Sequence, residues 1–241
     1  MRVCLFVILI LAIAVSSGYA ETKVINLSIY SIKESTKLFN ISAEYPQIDK
    51  VKPESNDKIR SLVEGKIGDF KKTSESNWKA RKETSAPDEN LGEYPEKPFY
   101  FDISWEPVQL NSKYISFVLH LDFFEGGANA NQIVFAFNYD LLNNKEMTLK
   151  DLLGDYPDYL KTISDYSIKE LESNITAEGN TDILKEMINA GAGPKEDNFR
   201  NFTFTDRAIN LHFSKYDVLP GYFGEQEVHI PRSIFWEKQN K

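Results

Sequence analysis

Alternation of apolar and polar residues dominates this chain. In Phe39-Asn40-Ile41-Ser42-Ala43-Glu44-Tyr45 every odd position is apolar and every even one polar, the mark of a strand with one face on a core and the other in water. Val24 to Ile32, separated from it by the polar Lys33-Glu34-Ser35-Thr36, supplies the other arm of a hairpin. The period then changes to helical: Ile59, Leu62, Val63, Ile67 and Phe70 recur at three-and-four spacing, with charged residues through Lys72 on the other faces. Pro53 and Ser55-Asn56 mark the start of this helix. The polar, proline-bearing stretch from Ser74 to Pro98 is expected to end as an exposed connection.

Three alternating runs follow. Phe99, Phe101, Ile103 and Trp105 share one parity. Ile115, Phe117, Leu119, Leu121 and Phe123 share the next, and Ile133, Phe135, Phe137, Tyr139 and Leu141 the third. A turn at Leu110–Lys113 and a glycine loop join them, so an antiparallel meander is expected, with the odd positions inward. A short amphipathic turn at Leu149, Leu152 and Leu153 precedes two helices. One begins near Asp155 with Pro157 in its first turn. The other begins near Thr181, carries Ile183, Leu184, Met187 and Ile188, and ends at Gly191 and Gly193-Pro194. Alternation returns in Phe202–Thr205 and Ile209–Phe213 around Asp206-Arg207, and in Val228–Pro231. The fold class is therefore α+β: an antiparallel meander sheet packed against helices, with an N-terminal hairpin-plus-helix subdomain. The expected division is a leader over 1–20, the hairpin and long helix over 21–98, and the α+β domain over 99–241.

The first twenty residues change the setting. Arg2 precedes the apolar run Val3–Val15 and the small-residue stretch Ser16-Ser17-Gly18-Tyr19-Ala20, a secretory leader layout with cleavage after Ala20. The run is shorter than the ~20 residues of a spanning helix, so no integral membrane segment is expected after processing. The location implied is outside the cytoplasm, periplasmic or extracellular. Cys4 is the only cysteine and lies ahead of the cleavage point, so the processed chain holds no disulfide and depends on its core. Processing removes Arg2 alone among the charges, leaving 27 basic and 36 acidic residues, a net 27 − 36 = −9. That surplus argues against nucleic acid as a partner and favours basic ones.

Catalytic templates are absent from the sequence: no Gly-x-Ser-x-Gly, no phosphate-cradling glycine loop, no His-Glu-x-x-His. His120, His212 and His229 stand apart from one another, on strands, and no metal or other cofactor is expected. Asp151, Asp155 and Asp158 gather near helix starts, where capping and the helix dipole account for them. No residue is assigned a catalytic role, and a hydrolase built from spatially assembled carboxylates is the remaining enzymatic alternative. The loop Glu125-Gly126-Gly127-Ala128-Asn129-Ala130-Asn131 reads as a tight turn at positive φ, with a recognition surface as the alternative.

Residues Glu125–Leu153, EGGANANQIVFAFNYDLLNNKEMTLKDLL, resemble the signature of the bacterial PdaC/RsiV-like extracytoplasmic domain family, a domain of unknown function. Gly126, Gly127, Ala128, Asn131, Asp140, Leu149, Asp151 and Leu152 fit the signature, whereas Asn129 stands where that family has histidine. The block Phe213–Gly224 followed by Val228-His229-Ile230-Pro231 is similar to the family's closing pattern. The segment from Ala43 into the helix through Phe70 resembles its usual N-terminal companion. The resemblance implies a binding role, since family members include a lysozyme-sensing anti-sigma ectodomain and the non-catalytic part of a peptidoglycan deacetylase. The expectation is a non-catalytic cell-envelope module whose ligand is a basic protein such as lysozyme or, alternatively, peptidoglycan glycan, with Tyr100, Tyr222 and Phe223 as candidate sugar-stacking rings and Trp105, which has core parity, expected to be buried instead. The ligand-binding residues expected are Gly126, Gly127, Asn129, Asn131, Tyr216 and Tyr222.

Overall fold

The computed structural model describes residues 9–13, 25–49, 51–86, 89, 91–175 and 181–237. The expected cleavage point after Ala20 lies outside them. Of the leader only Leu9–Ile13 (β1) is described, as a strand antiparallel to Ile25–Ser35 (β2). Among the described residues no helix is long and apolar enough to cross a membrane. The strands of the main sheet follow one another in chain order, and the chain divides into two compact units. The first comprises residues up to Trp105 together with His120–Asn131; the second comprises Glu106–Leu119 and Gln132 onward.

The first unit joins the predicted hairpin, β2 with Phe39–Ile48 (β3), to the sheet. Strand β3 pairs in parallel with Phe99–Leu110 (β4), and the register sets Phe39 beside Phe99, Ile41 beside Phe101 and Ala43 beside Ile103. Equal parity on both strands makes one continuous apolar face, and all six residues are buried. Helix α1, Pro53–Thr84, covers that face with Ile59, Val63, Ile67, Phe70, Ser74 and Trp78, a stripe at three-and-four spacing. The Phe70 ring meets Phe39 at 5.8 Å and Phe101 at 5.1 Å. The helix runs three turns beyond the expected Lys72 because Ser74 and Trp78 prolong the buried stripe even though the composition there turns polar. The Trp78 indole donates to the Glu93 carbonyl at 2.9 Å, which ties down the connection to β4.

The second unit contains the ends of β4 and Tyr114–Phe124 (β5), then Asn131–Asp140 (β6), Lys145–Glu146 (β7) and a separate three-stranded sheet. That sheet is ordered β10-β9-β8, from Phe202–Phe204 (β8), Ala208–Phe213 (β9) and Gln226–Pro231 (β10). Helices Leu149–Leu153 (α2), Tyr159–Asn174 (α3), Thr181–Gly191 (α4) and Ser233–Glu237 (α5) complete it. Its core gathers Leu153, Ile163, Leu171, Ile188, Phe199, Phe213 and Val228 among others. Helix α3 starts at Tyr159 rather than near Asp155, because Asp158 sits in the left-handed region at φ 56°. Ile183, expected inward on α4, is exposed.

The largest departure from the alternation concerns which face is buried. On β5 Ser116 and Val118 are buried along with Ile115, Phe117, Leu119 and Leu121 while Phe123 is half-buried, and on β6 Val134 and Asn138 are buried while Ile133, Phe135 and Phe137 are only half-buried. Polar atoms drive this. The Ser116 hydroxyl donates to Asn138 Oδ1 at 2.7 Å and accepts from Phe204 N at 3.0 Å, and Asn138 Nδ2 donates to the Phe202 carbonyl at 2.6 Å. Strand β8 is thereby held by side chains of β5 and β6. Further along β6, Val134 N donates to Ser214 Oγ, Ala136 N to Asn201 Oδ1, and Gln132 O accepts from Lys215 N. These contacts satisfy backbone groups of β6 where the two-residue β7 does not reach.

Two carboxylates of the family signature hold local structure. Asp140, at the end of β6, is buried; burial would raise its pKa, but the N–H groups of Asn143 and Leu142 and the Asn143 amide hold it below the ordinary value. Asp151 forms a capping box at the start of α2 with Thr148. The Lys145 ammonium donating at 2.6 Å, then the Thr148 backbone N–H, lower its pKa to about 2.

Replacing Asn138 by Ala leaves the Phe202 carbonyl and Ser116 without their buried partner, and is expected to destabilise the chain by about 1–3 kcal/mol. The midpoint of urea unfolding reads that loss. Loss of the α2 cap in Asp151→Asn is expected to cost about 1 kcal/mol at neutral pH. Because the folded-state pKa of Asp151 is depressed, its contribution is present above the unfolded value of about 3.9 and disappears as pH falls through about 2. The gap between parent and variant in chemical unfolding should therefore close between those two pH values.

Candidate functional site

The expected recognition residues fall into two groups. Gly126, Gly127, Asn129 and Asn131 belong to the first unit, Tyr216 and Tyr222 to the second.

In the first unit Gly126 adopts φ 86°, and a Cβ there would lie 2.6 Å from Phe99 Cζ, so only glycine fits beneath that ring. The Glu125 carbonyl accepts from Asn77 Nδ2 at 2.8 Å, fastening the start of the loop to α1. Gly127, Ala128 and Asn129 then stand exposed, while Asn131 begins β6 half-buried. Gly126 is thus a packing requirement, and the exposed part of the loop is three residues long. On the face of the sheet away from α1, Tyr100 donates to Asp122 Oδ1 at 3.2 Å. Asp102 is exposed nearby; desolvation, then the Asp122 charge, raises its pKa. Asn40 and Glu44 are exposed on β3 at the same even parity, so this face is polar and acidic.

In the second unit the loop after β9 presents two open tyrosines. Tyr216 is 52% and Tyr222 72% exposed, while Val218 and Leu219 between them are fully buried. The loop is anchored at its start, where Asp217 Oδ2 accepts from Ser214 N at 2.8 Å and Lys215 N bonds Gln132 O at 3.0 Å. At its far end a 3-10 turn over Gly221–Phe223 leads to Gly224 at φ 70°, and Gln226 Nε2 donates to the Phe223 carbonyl at 2.8 Å. Tyr216 itself sits at φ 76°, which is strained for a residue with a Cβ. Its ring packs where a Cβ on Gly221 would stand, and the Lys215 ammonium lies 5.3 Å over it. The Tyr222 ring packs tilted against Phe223, with centroids 4.5 Å apart, leaving much of its surface in solvent. Anchored ends, buried middle residues and a strained backbone at Tyr216 give a fixed aromatic shelf.

Two adjoining depressions escaped the sequence reading. A cleft of about 410 Å³ is lined by residues of α2, Tyr159 of α3 and the segment Glu196–Phe202. A smaller polar pocket of about 200 Å³ shares Asp197 and Arg200 with it and includes His212 and Asp217. His212 is buried, with Nε2 2.8 Å from Thr203 Oγ1. Among the described residues no three His, Cys, Asp or Glu side chains are grouped to hold a metal ion. These lining residues come from segments fifty positions apart, and no spacing in the sequence announces their meeting.

Comparison with known proteins agrees with this architecture. Residues 32–132 match the family model described as deacetylase PdaC, and residues 150–233 match the model of a protein of unknown function, DUF3298. The peptidoglycan-N-acetylmuramic acid deacetylase PdaC of Bacillus subtilis (strain 168) is 26% identical over 209 residues, 87% of this chain and 41% of that protein. The chain thus spans about two fifths of the length of that curated relative. Crystal structures of DUF3298-family proteins from Bacteroides fragilis and Pseudomonas aeruginosa PAO1 share the fold, with TM-scores of 0.57 and 0.53 at 14% and 12% identity. Each alignment covers 87% of this chain and 91% of the other. With a PdaC-type domain over residues 32–132 followed by a DUF3298 domain over residues 150–233, the chain fits the PdaC-like DUF3298 family.

Proposed function

We propose that the protein is an exported, non-catalytic module of the bacterial cell envelope that binds peptidoglycan through the shelf of Tyr216 and Tyr222. The observation that carries the reading is the pair of exposed tyrosine rings on a loop whose middle residues are buried and whose ends are bonded in place. Rigid, amphipathic aromatic rings give large contact area with little entropy to lose, and they suit the apolar faces of sugar rings. The likeness to a protein named for action on peptidoglycan N-acetylmuramic acid supports the same polymer as ligand. The carboxylates whose pKa values are pulled down, Asp140 and Asp151, cap a turn and a helix, which favours binding over acid-base chemistry.

A basic extracellular protein such as lysozyme is the second reading. The acidic outer face of the first unit, with Asp102, Asp122 and Glu44, favours it, as does the net charge of −8. Capture of that kind is steered by charge and weakens with salt.

Sedimentation of the full chain with purified sacculi should pellet the protein at low and at moderate salt. Tyr222→Ala and Tyr216→Ala should each weaken the association roughly tenfold, as loss of a buried aromatic contact does. Failure of the parent to pellet at either salt would remove the peptidoglycan reading. Retention on immobilised lysozyme that disappears at moderate salt, and in Asp102→Asn with Asp122→Asn, would instead establish the second.

A further inference from the structure

We propose that the cleft between α2 and the 3-10 turn Glu196–Phe199 binds the carboxylate-bearing peptide substituent of peptidoglycan. This inference rests on the peptidoglycan reading above and adds the part of the polymer that a neutral glycan lacks. A volume of about 410 Å³ lies within the range of small-ligand sites. Buried Leu149, Phe199 and Phe202 give the cleft an apolar lining, and Tyr159 closes one side by donating to Glu196 Oε1 at 3.2 Å.

The charges at its rim point to the ligand. Lys150 and Arg200 are exposed, and among the described residues neither side chain forms an ion pair. In a chain with 36 acidic residues against 28 basic ones, two cations that form no ion pair, although Glu196 and Asp197 line the same cleft, have their charge available to an outside carboxylate. Asp197, also exposed and unpaired, lies at the same rim and offers an acceptor to an ammonium or amide N–H. A short peptide carrying both a carboxylate and an amino group satisfies all three over an apolar lining. A neutral sugar chain satisfies none of the charges.

The neighbouring pocket gives the path. It shares Asp197 and Arg200 with the cleft and reaches Asp217, the residue next to Tyr216. On this proposal a sugar lies on the tyrosine shelf and its peptide runs past Asp217 and Arg200 into the cleft. The lactyl carboxyl of muramic acid is the point from which such a peptide departs, so shelf and cleft together read a muramoyl peptide rather than a bare glycan.

Calorimetric titration of the full chain tests this with three probes: an N-acetylmuramoyl tripeptide ending in a diamino acid, the same compound with its peptide carboxylates amidated, and an N-acetylglucosamine tetramer. The muramoyl tripeptide should bind, and Arg200→Ala and Lys150→Ala should each weaken it about tenfold. Amidation should weaken binding similarly in the parent and no further in the variants. Both variants alter exposed side chains, and unchanged thermal unfolding shows that they fold. The tetramer should be insensitive to either variant and should lose affinity in Tyr222→Ala. Equal affinity of parent and variants for the tripeptide, or no tripeptide binding while sacculi still pellet the protein, overturns the cleft assignment and leaves the peptidoglycan reading in place. Absence of all binding, sacculi included, removes both.

Discussion

The second unit depends on one buried amide. Asn138 joins the Ser116 hydroxyl to the Phe202 carbonyl, and Ser116 in turn receives Phe204 N, so a strand of the small sheet is docked by side chains of the large one. Docking two sheets in this unit by polar atoms fixes register as apolar packing alone does not, because each donor has one partner at one distance. Two of the segments that bear on the peptidoglycan reading are carried on the docked element: the segment Glu196–Phe202 enters β8, and the tyrosine loop leaves β9. Ser214, Asn201 and Lys215 extend the clasp along β6, which sets both segments against a strand whose position is already decided.

The first unit is organised by a different constraint, parity. Parallel pairing of β3 with β4 works here because the register brings odd residues beside odd residues, and a slip by one position would turn Phe99, Phe101 and Ile103 to solvent. The stripe on α1 then has a single continuous face to cover. A consequence is that the opposite face stays polar, and that is where Tyr100, Asp102 and Asp122 gather. Glycine at position 126 belongs to the same scheme, since its missing side chain lets the turn close under Phe99.

Much of this was legible in the sequence, and what was missed has a common cause. Alternation located the hairpin, the meander strands and the closing strands because each leaves a local record of which residues face inward. The burial of Asn138 and Ser116 left none, for a polar residue on a strand reads as solvent-facing unless its distant partner is known. The last three turns of α1 were hidden likewise, by polar composition around the two buried residues Ser74 and Trp78. Tyr216 and Tyr222 could be named because they stand in one short segment. The cleft could not, since Lys150, Tyr159 and Arg200 are brought together only by tertiary packing. The signature residues Gly126, Asp140 and Asp151 proved to be determinants of a turn, a strand end and a helix cap, so resemblance in them speaks to fold more than to ligand.

The acidity of the chain does not argue against a polymer that itself bears carboxylates. Charges more than about 8 Å apart in water are largely screened at physiological salt, so a contact is governed by the groups within that distance and not by the total. Around the cleft those groups are Lys150 and Arg200, without ion pairs, together with Glu196 and Asp197, and the aromatic shelf needs no charge at all. The acidic face of the first unit is built from other residues, Asp102 and Asp122 beside Tyr100, and is the one that the second reading would use. Aromatic stacking persists as salt rises, whereas capture by an acidic face fades, so the two modes separate by physical chemistry alone. Two cations that form no ion pair among the described residues, set at the rim of an apolar lining, therefore make the local balance at the cleft differ from that of the chain as a whole, and it is the local balance that a bound carboxylate would meet.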